Sequence, residues 1–209
     1  YFDVGMMEQQ LVAMAAGLAR TGRTPYITTY GAFASRRAYD FIAMACAHSK
    51  LPVKIFAALP GLTTGYGGTH QAIEDTMLMR GIPGLVVIDP CDAIDIMQVT
   101  RAVADVPGPV YVRLQRGNVP VHLPAGYAFR VGEAAELRRG GDLGIVSTGL
   151  STGRALEVAD ACARRGAAVG VLHVPTLKPF DAAAVVAFAR RAPRLMTFEN
   201  HIVDGGLGT

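Results

Sequence analysis

Tyr26-Ile27-Thr28-Thr29-Tyr30-Gly31-Ala32-Phe33-Ala34-Ser35-Arg36 runs from a β-rich segment into a helical one. The same change recurs along the chain. Short apolar runs read as buried strands at Tyr26 to Tyr30, Val53 to Leu59, Leu85 to Asp89, Val110 to Gln115, Leu143 to Thr148, Val169 to Val174 and Leu195 to Glu199. They are continuous rather than alternating, as a sheet covered on both faces requires. Helical patterns lie between them. Met7, Leu11, Met14, Ala15 and Leu18 form one apolar stripe at helical spacing. Asp92 caps a helix running to about Asp105, and Ser151 caps another that stops at Gly166. Strand and helix alternate to the end, which predicts an α/β protein with parallel sheets and helices on both faces.

The rhythm breaks once, where Pro120, Pro124, Gly126 and Gly132 interrupt the pattern. This divides the 209 residues into a domain over 1–122, a linker over 123–139 and a smaller domain over 140–209 that ends in a glycine-rich turn, Gly205 to Thr209, and reads as truncated. Hydrophobic residues make up 51% and charged residues 18%, a balance that excludes disorder and supports a sizeable core. The apolar runs are far shorter than the roughly 20 residues of a membrane span. The chain starts at Tyr1 with no basic segment leading into an apolar one, so a fragment without a signal peptide is expected. The net charge of +3 is spread over arginine pairs and forms no nucleic-acid patch. Cys46, Cys91 and Cys162 lack the close spacings of zinc or redox motifs, and a cytoplasmic setting is expected.

Four clusters carry candidate chemistry. Glu8 sits in the opening turn of the first helix among Val12, Ala15 and Ala16, where burial disfavours the charged form unless a ligand or partner supplies a hydrogen bond. The alternative is a glutamate favoured there by the helix dipole alone. Tyr30 and Phe33 flank a strand end, where ligands bind in open parallel sheets; they are either walls for a flat heterocycle or core rings. Gly61-Leu62-Thr63-Thr64-Gly65-Tyr66-Gly67-Gly68-Thr69-His70-Gln71 places four glycines and a histidine before a helix, with His70 at the helix start. Such a loop lets backbone approach a ligand, and His70 is either an acid, base or hydroxyl ligand or a capping residue. The spacing is not that of a Walker or dinucleotide motif. Finally, Arg113-Leu114-Gln115-Arg116-Gly117-Asn118 ends a predicted strand in a guanidinium and a turn, where an arginine fork suits a phosphate or carboxylate, or simply meets solvent.

In this order, Asp3-Val4-Gly5-Met6-Met7-Glu8-Gln9, Gly68-Thr69-His70-Gln71, Arg80-Gly81-Ile82-Pro83, Asp89-Pro90 and Arg116-Gly117-Asn118-Val119-Pro120 resemble transketolases, and Phe198-Glu199-Asn200-His201 with Gly205-Gly206-Leu207-Gly208 resembles the C-terminal domain of that superfamily. The best fit is the small subunit of a split, bacterial-type transketolase. The resemblance implies two three-layer α/β domains, a pyrimidine-binding domain and a C-terminal domain. It also implies thiamine diphosphate as cofactor and ketol transfer between sugar phosphates. By the same resemblance Glu8 hydrogen-bonds the aminopyrimidine ring and favours its imino form, Tyr30 and Phe33 wall the pyrimidine, and Arg36 borders it, with the alignment around Ser35-Arg36-Arg37 open by one residue. His70 matches a histidine that binds substrate oxygens, and Arg116 an arginine that holds the sugar phosphate.

The departures are Tyr66, where many transketolases carry an acidic residue, and Ala58, near where a further histidine is usual; donor and acceptor sugars other than the common pentose phosphates are therefore expected. No Gly-Asp-Gly motif holds the diphosphate and its Mg2+ or similar cation. Gly141-Asp142-Leu143-Gly144 reads as a turn into a strand. These ligands are expected from a partner subunit or an N-terminal domain, in a dimer or heterotetramer. The competing readings are 1-deoxyxylulose-5-phosphate synthase, the beta subunit of a 2-oxo-acid dehydrogenase, and a non-catalytic interaction subunit. The Gly-Thr-His-Gln and Arg-Gly-Asn-Val-Pro segments favour transketolase over the dehydrogenase.

Overall fold

Among the described residues seven of the nine strands coincide with the apolar runs, and their pairing shows what those runs could not. The computed structural model describes residues 1–63 and 65–209; Thr64, in the glycine-rich run, lies outside the described residues. Strands β1 (Tyr26–Tyr30), β2 (Lys54–Ala58), β3 (Val86–Ile88) and β4 (Val110–Leu114) pair in parallel in the order β1-β2-β4-β3. A second sheet is built from β5 (Ala135–Arg138), β6 (Leu143–Ser147), β7 (Val169–His173) and β9 (Leu195–Phe198), in the order β5-β7-β6-β9. Two edge strands run antiparallel, β8 (Thr176–Lys178) on β3 and β5 on β7, so both sheets are mixed where parallel sheets are expected from the sequence. Mixed sheets of this kind are parallel at the centre and closed by one reversed edge.

Side-chain alternation makes each sheet the middle layer of three. Ile55, Ala57, Val87 and Tyr111 face one core with helix α1 (Glu8–Arg20), while Phe56, Ile88, Val110 and Val112 face another with Val99 of helix α4 (Ala93–Ala102). In the second sheet Ile145, Val169 and Val171 pack on Ala155 and Ala159 of helix α5 (Ser151–Ala163). The opposite face, with Val146 and Leu172, packs on Leu177 and on Phe188 of helix α6 (Ala182–Ala189) within the same core that holds Ile55 and Tyr111. The two halves thus share one apolar interior, and β8 joins it by extending the first sheet. Fully buried His173 adds a polar tie: its Nε2 lies 2.9 Å from Asp95 Oδ2 on α4 and its Nδ1 2.8 Å from Thr152 Oγ1 on α5.

Several expectations shift by a residue or a face. On α1 the buried set is Glu8, Val12, Ala15, Ala16 and Ala19, because small residues let the helix lie close to the sheet; Leu11, Met14 and Leu18 instead line a cavity of about 330 Å³ between α1, β1 and residues 1–5. Asp92 does cap α4, accepting from Ile94 N and Asp95 N. Ser151 is the first residue of α5 rather than its cap; Leu150 stands at that position without a side-chain bond. The stretch 123–139 contains β5, which has no apolar run to betray it, and packs Leu123, Tyr127 and Phe129 into the second core. Among the described residues no helix is long and apolar enough to cross a membrane.

Candidate functional site

Glu8 opens α1 without a side-chain cap before it, and the residue is only 5% exposed. A charge held there needs a partner, and it is Arg37: Nη1 donates to Glu8 Oε2 at 2.8 Å. Arg37 reaches Glu8 because Phe33–Arg37 is a π-helical turn, closed by Ala38 N donating to Phe33 O at 3.0 Å. A wider turn of this kind rotates the following side chains relative to an α-helix, and such turns are frequent at functional sites. The guanidinium of Arg37 lies 4.4 Å from the centroid of the Phe33 ring, a favourable cation–π placement.

From Phe33 the contacts continue without a gap. Tyr30 at the end of β1 stacks on Phe33 with centroids 5.8 Å apart and planes at 27°. His70 meets Phe33 edge-on at 5.2 Å and Tyr30 at 5.8 Å, while Tyr66 tilts against His70 at 5.6 Å. His70 Nδ1 lies 2.8 Å from Thr69 Oγ1. Arg116 closes the series, its guanidinium 5.1 Å from the Tyr66 centroid, and hydrogen bonding to Tyr66 raises its pKa above the ordinary arginine value. Glu8, Arg37, Phe33, Tyr30, His70, Tyr66 and Arg116 therefore form one line of successive contacts, from the Glu8–Arg37 pair through the mutually touching Phe33, Tyr30 and His70 rings to Tyr66 and the Arg116 guanidinium.

Arg36 stands beside this line rather than on it. Its Nε pairs with Glu74 and its Nη groups reach Gly68 O and Gln71 O, both at 3.4 Å, so it braces the His70 loop, and the arginine on Glu8 is Arg37. The bond to Arg36 holds the Glu74 carboxyl below its ordinary value. His70 itself lies in a turn, because the following helix α3 begins only at Asp75 (Asp75–Gly81); Ala72 first makes an isolated bridge to Pro60. Ala58, the other departure, ends β2 and is partly buried.

Arg113, at the start of the fourth sequence cluster, belongs to a closed ionic cluster whose pairing the sequence does not show. Arg113, 1% exposed on β4, donates from Nε and Nη2 to Asp75 at 3.0 and 3.1 Å and from Nη1 to Asp89 at 2.9 Å, while Tyr111 OH donates to Asp75 at 2.8 Å. Burial pushes the Asp89 carboxyl up, and Arg113 offsets that only in part. For Arg113 burial acts downward, but Asp75 and Asp89 reverse it and leave the group raised. The signal was available in Asp89 and Arg113 at neighbouring strand ends, though nothing in the sequence pairs them. Among the described residues no group of three or more His, Cys, Asp or Glu side chains is placed to hold a metal ion. Asp142, in the Gly141-Asp142 turn, instead accepts from Ala168 N at 2.6 Å.

This arrangement has relatives. Residues 1–122 match the model of the transketolase pyrimidine-binding domain and residues 132–209 that of the transketolase C-terminal domain. The chain is 54% identical to a transketolase family protein of Sinorhizobium fredii over 100% of its own length and 61% of that protein, and 39% identical to a 6-deoxy-6-sulfo-D-fructose transketolase subunit of Clostridium sp. over 99% and 65%. It thus spans under two thirds of the length of these two relatives. A solved structure described as a split gene transketolase, inactive beta4 tetramer, superposes with a TM-score of 0.92 at 39% identity, covering 99% of this chain and 67% of that one. With both domain models matched in order across nearly the whole sequence, the chain belongs to the transketolase family.

Proposed function

We propose that this chain is the pyrimidine-side subunit of a split transketolase, performing ketol transfer between anionic sugars together with a partner that supplies the diphosphate and Mg2+ ligands. The observation that carries the reading is the unbroken line from Glu8 to Arg116. Its parts fit an aminopyrimidine: a buried carboxylate with one charged partner, then a group of aromatic rings in which Tyr30 and Tyr66 are exposed. When bound, thiamine diphosphate supplies the carbanion chemistry that the side chains cannot. Glu8 holds a proton at a ring nitrogen, Tyr30 and Phe33 wall the ring, and Arg36 braces the loop bordering it. His70 binds and orients substrate oxygens, and Arg116 receives the anionic end of the sugar. A sulfonate, as in the substrate named for the Clostridium relative, presents the same charged oxygens as a phosphate, so the guanidinium serves either. Residues 1–122 contribute these side chains, and the active site lies between subunits.

Calorimetric titration with thiamine diphosphate and magnesium tests the division of labour. Weak binding by the isolated chain, tight binding after the partner subunit is added, and transfer from a ketose phosphate in the mixture are the expected results. Tight magnesium-dependent binding by this chain alone overturns the two-part model. Product formed only from pyruvate as donor assigns the chain to 1-deoxyxylulose-5-phosphate synthesis instead.

A further inference from the structure

The second half of the chain contributes no side chain to the line from Glu8 to Arg116, yet one of its residues grips the loop that carries His70. Asn200, just beyond β9, uses three of its polar groups at one place. Its Oδ1 accepts from Leu62 N at 3.0 Å, its Nδ2 donates to Pro60 O at 3.3 Å, and its main-chain carbonyl accepts from Arg113 Nη2 at 3.0 Å. The segment from Gly61 to Ala72 is closed at its neck by the Pro60–Ala72 bridge and by Gly61 N donating to Ala72 O at 2.7 Å, and Arg113 Nη2 also reaches Ala72 O at 3.3 Å. Loops whose ends meet in this way are shaped by their necks. Asn200 seats on the neck because residue 61 is glycine: its φ is +61°, and a Cβ would stand 2.2 Å from Asn200 Cγ. The following residues extend the grip, with Ile202 N donating to Ile73 O at 2.9 Å and Met77 N to His201 Nε2 at 3.3 Å.

We infer that Asn200 is a positioning residue: by fixing the neck at Pro60, Gly61 and Leu62 it sets where His70 and Tyr66 stand, so the second half of the chain governs substrate affinity without touching substrate. The inference rests on the substrate-binding role proposed for His70. It predicts separable effects, because Asn200 holds the neck of the His70 loop and makes no bond to Glu8 or Arg37, so the larger effect falls on substrate affinity rather than on cofactor binding.

The experiment compares wild type, Asn200→Ala and Asn200→Asp, each with its partner subunit. Loss of two hydrogen bonds at the neck is expected to raise KM for the ketose donor about tenfold in Asn200→Ala, with cofactor affinity and Tm near wild type, and to speed hydrogen–deuterium exchange of the Leu62 amide by a similar factor. Asn200→Asp keeps the Oδ1 acceptor and should retain Leu62 protection and most of the substrate affinity. Gly61→Ala pushes on the same contact from the other side and should reproduce the KM effect; combined with Asn200→Ala the clash is relieved, and what it still adds is the cost of a Cβ at a φ of +61°. Unchanged Leu62 exchange in Asn200→Ala overturns the inference, as does a parallel fall of kcat, cofactor affinity and Tm, which marks a purely structural residue. If the wild-type complex transfers no ketol group, the proposed function fails, and Leu62 exchange alone decides whether Asn200 holds the neck.

Discussion

Two of the carboxylate–arginine pairings in the first half of the chain, those of Arg113 and of Glu8, differ in completeness. Around Arg113 the guanidinium is satisfied by Asp75, Asp89, Ala72 O and Asn200 O, and Arg113, Asp75 and Asp89 are all buried. Around Glu8 there is one arginine bond, from Arg37, whose own side chain is 44% exposed. The first is sealed and the second is open. A sealed cluster fixes strands β3 and β4 against α3, whereas a buried carboxylate with a single exposed partner is available to another donor. Saturation, more than the identity of the residues, separates the structural pair from the candidate chemical one.

The contrast breaks first at Arg113. Arg113→Met leaves Asp75 and Asp89 buried without compensation, and removing one partner of a buried pair costs about 3–5 kcal/mol. Denaturant unfolding should show that loss or fail to find a folded protein; a loss under 1 kcal/mol would mean that the cluster is as open as the Glu8 pair. Glu8→Gln in the assembled enzyme should do the reverse. Stability should change by no more than about 1 kcal/mol, the scale of a helix-terminal charge, while hydrogen–deuterium exchange at the thiazolium carbon slows on the order of a hundredfold or more, as removal of an acid–base group does. An unchanged exchange rate would remove Glu8 from the mechanism. Arg116→Ala sharpens the open end of the line. It is expected to weaken phosphorylated substrates about tenfold or more relative to unphosphorylated ones, read as KM, with cofactor binding spared; equal losses for both would make Arg116 structural.

The same division should appear in the thiols, with a smaller effect. Burial pushes the Cys46 thiol up to about 12 and raises Cys91 as well, while Cys162 is partly exposed. In the native protein at about pH 8.5 only a minute fraction of Cys46 is thiolate, the form that reacts. Iodoacetamide should label Cys162 first and the other two only after unfolding; early labelling of Cys46 would show that the core of the first half opens readily.

Strand positions were legible because burial on both faces leaves an uninterrupted apolar run, as around β2, β4, β6 and β7; β1 is an edge strand with only Ile27 buried, read from the β-rich composition of Tyr26–Tyr30. The two strands that went unread are the reversed edges: β5 carries Glu136 and Arg138, and β8 is a three-residue strand close to Pro175 and Pro179. At the candidate site the residue types and their order were readable, and the structure gathers Glu8, Tyr30, Phe33, His70 and Arg116 along one line. The partner of Glu8 was not readable to the residue, since α and π turns place Arg36 and Arg37 differently and the sequence does not announce which turn forms. Asn200 was readable only as part of a family motif, because the contact depends on a neck far away in the chain.

Strand β8 has a consequence for how such a chain is made. It is read from the gene long after β3, yet it closes the edge of the sheet to which β3 belongs. During synthesis the first sheet therefore waits with Val87 and Ile88 at a bare edge, the template on which unrelated chains can add. A recombinant piece ending at residue 122 inherits that edge permanently, so the unit that folds without inviting aggregation extends at least through Lys178.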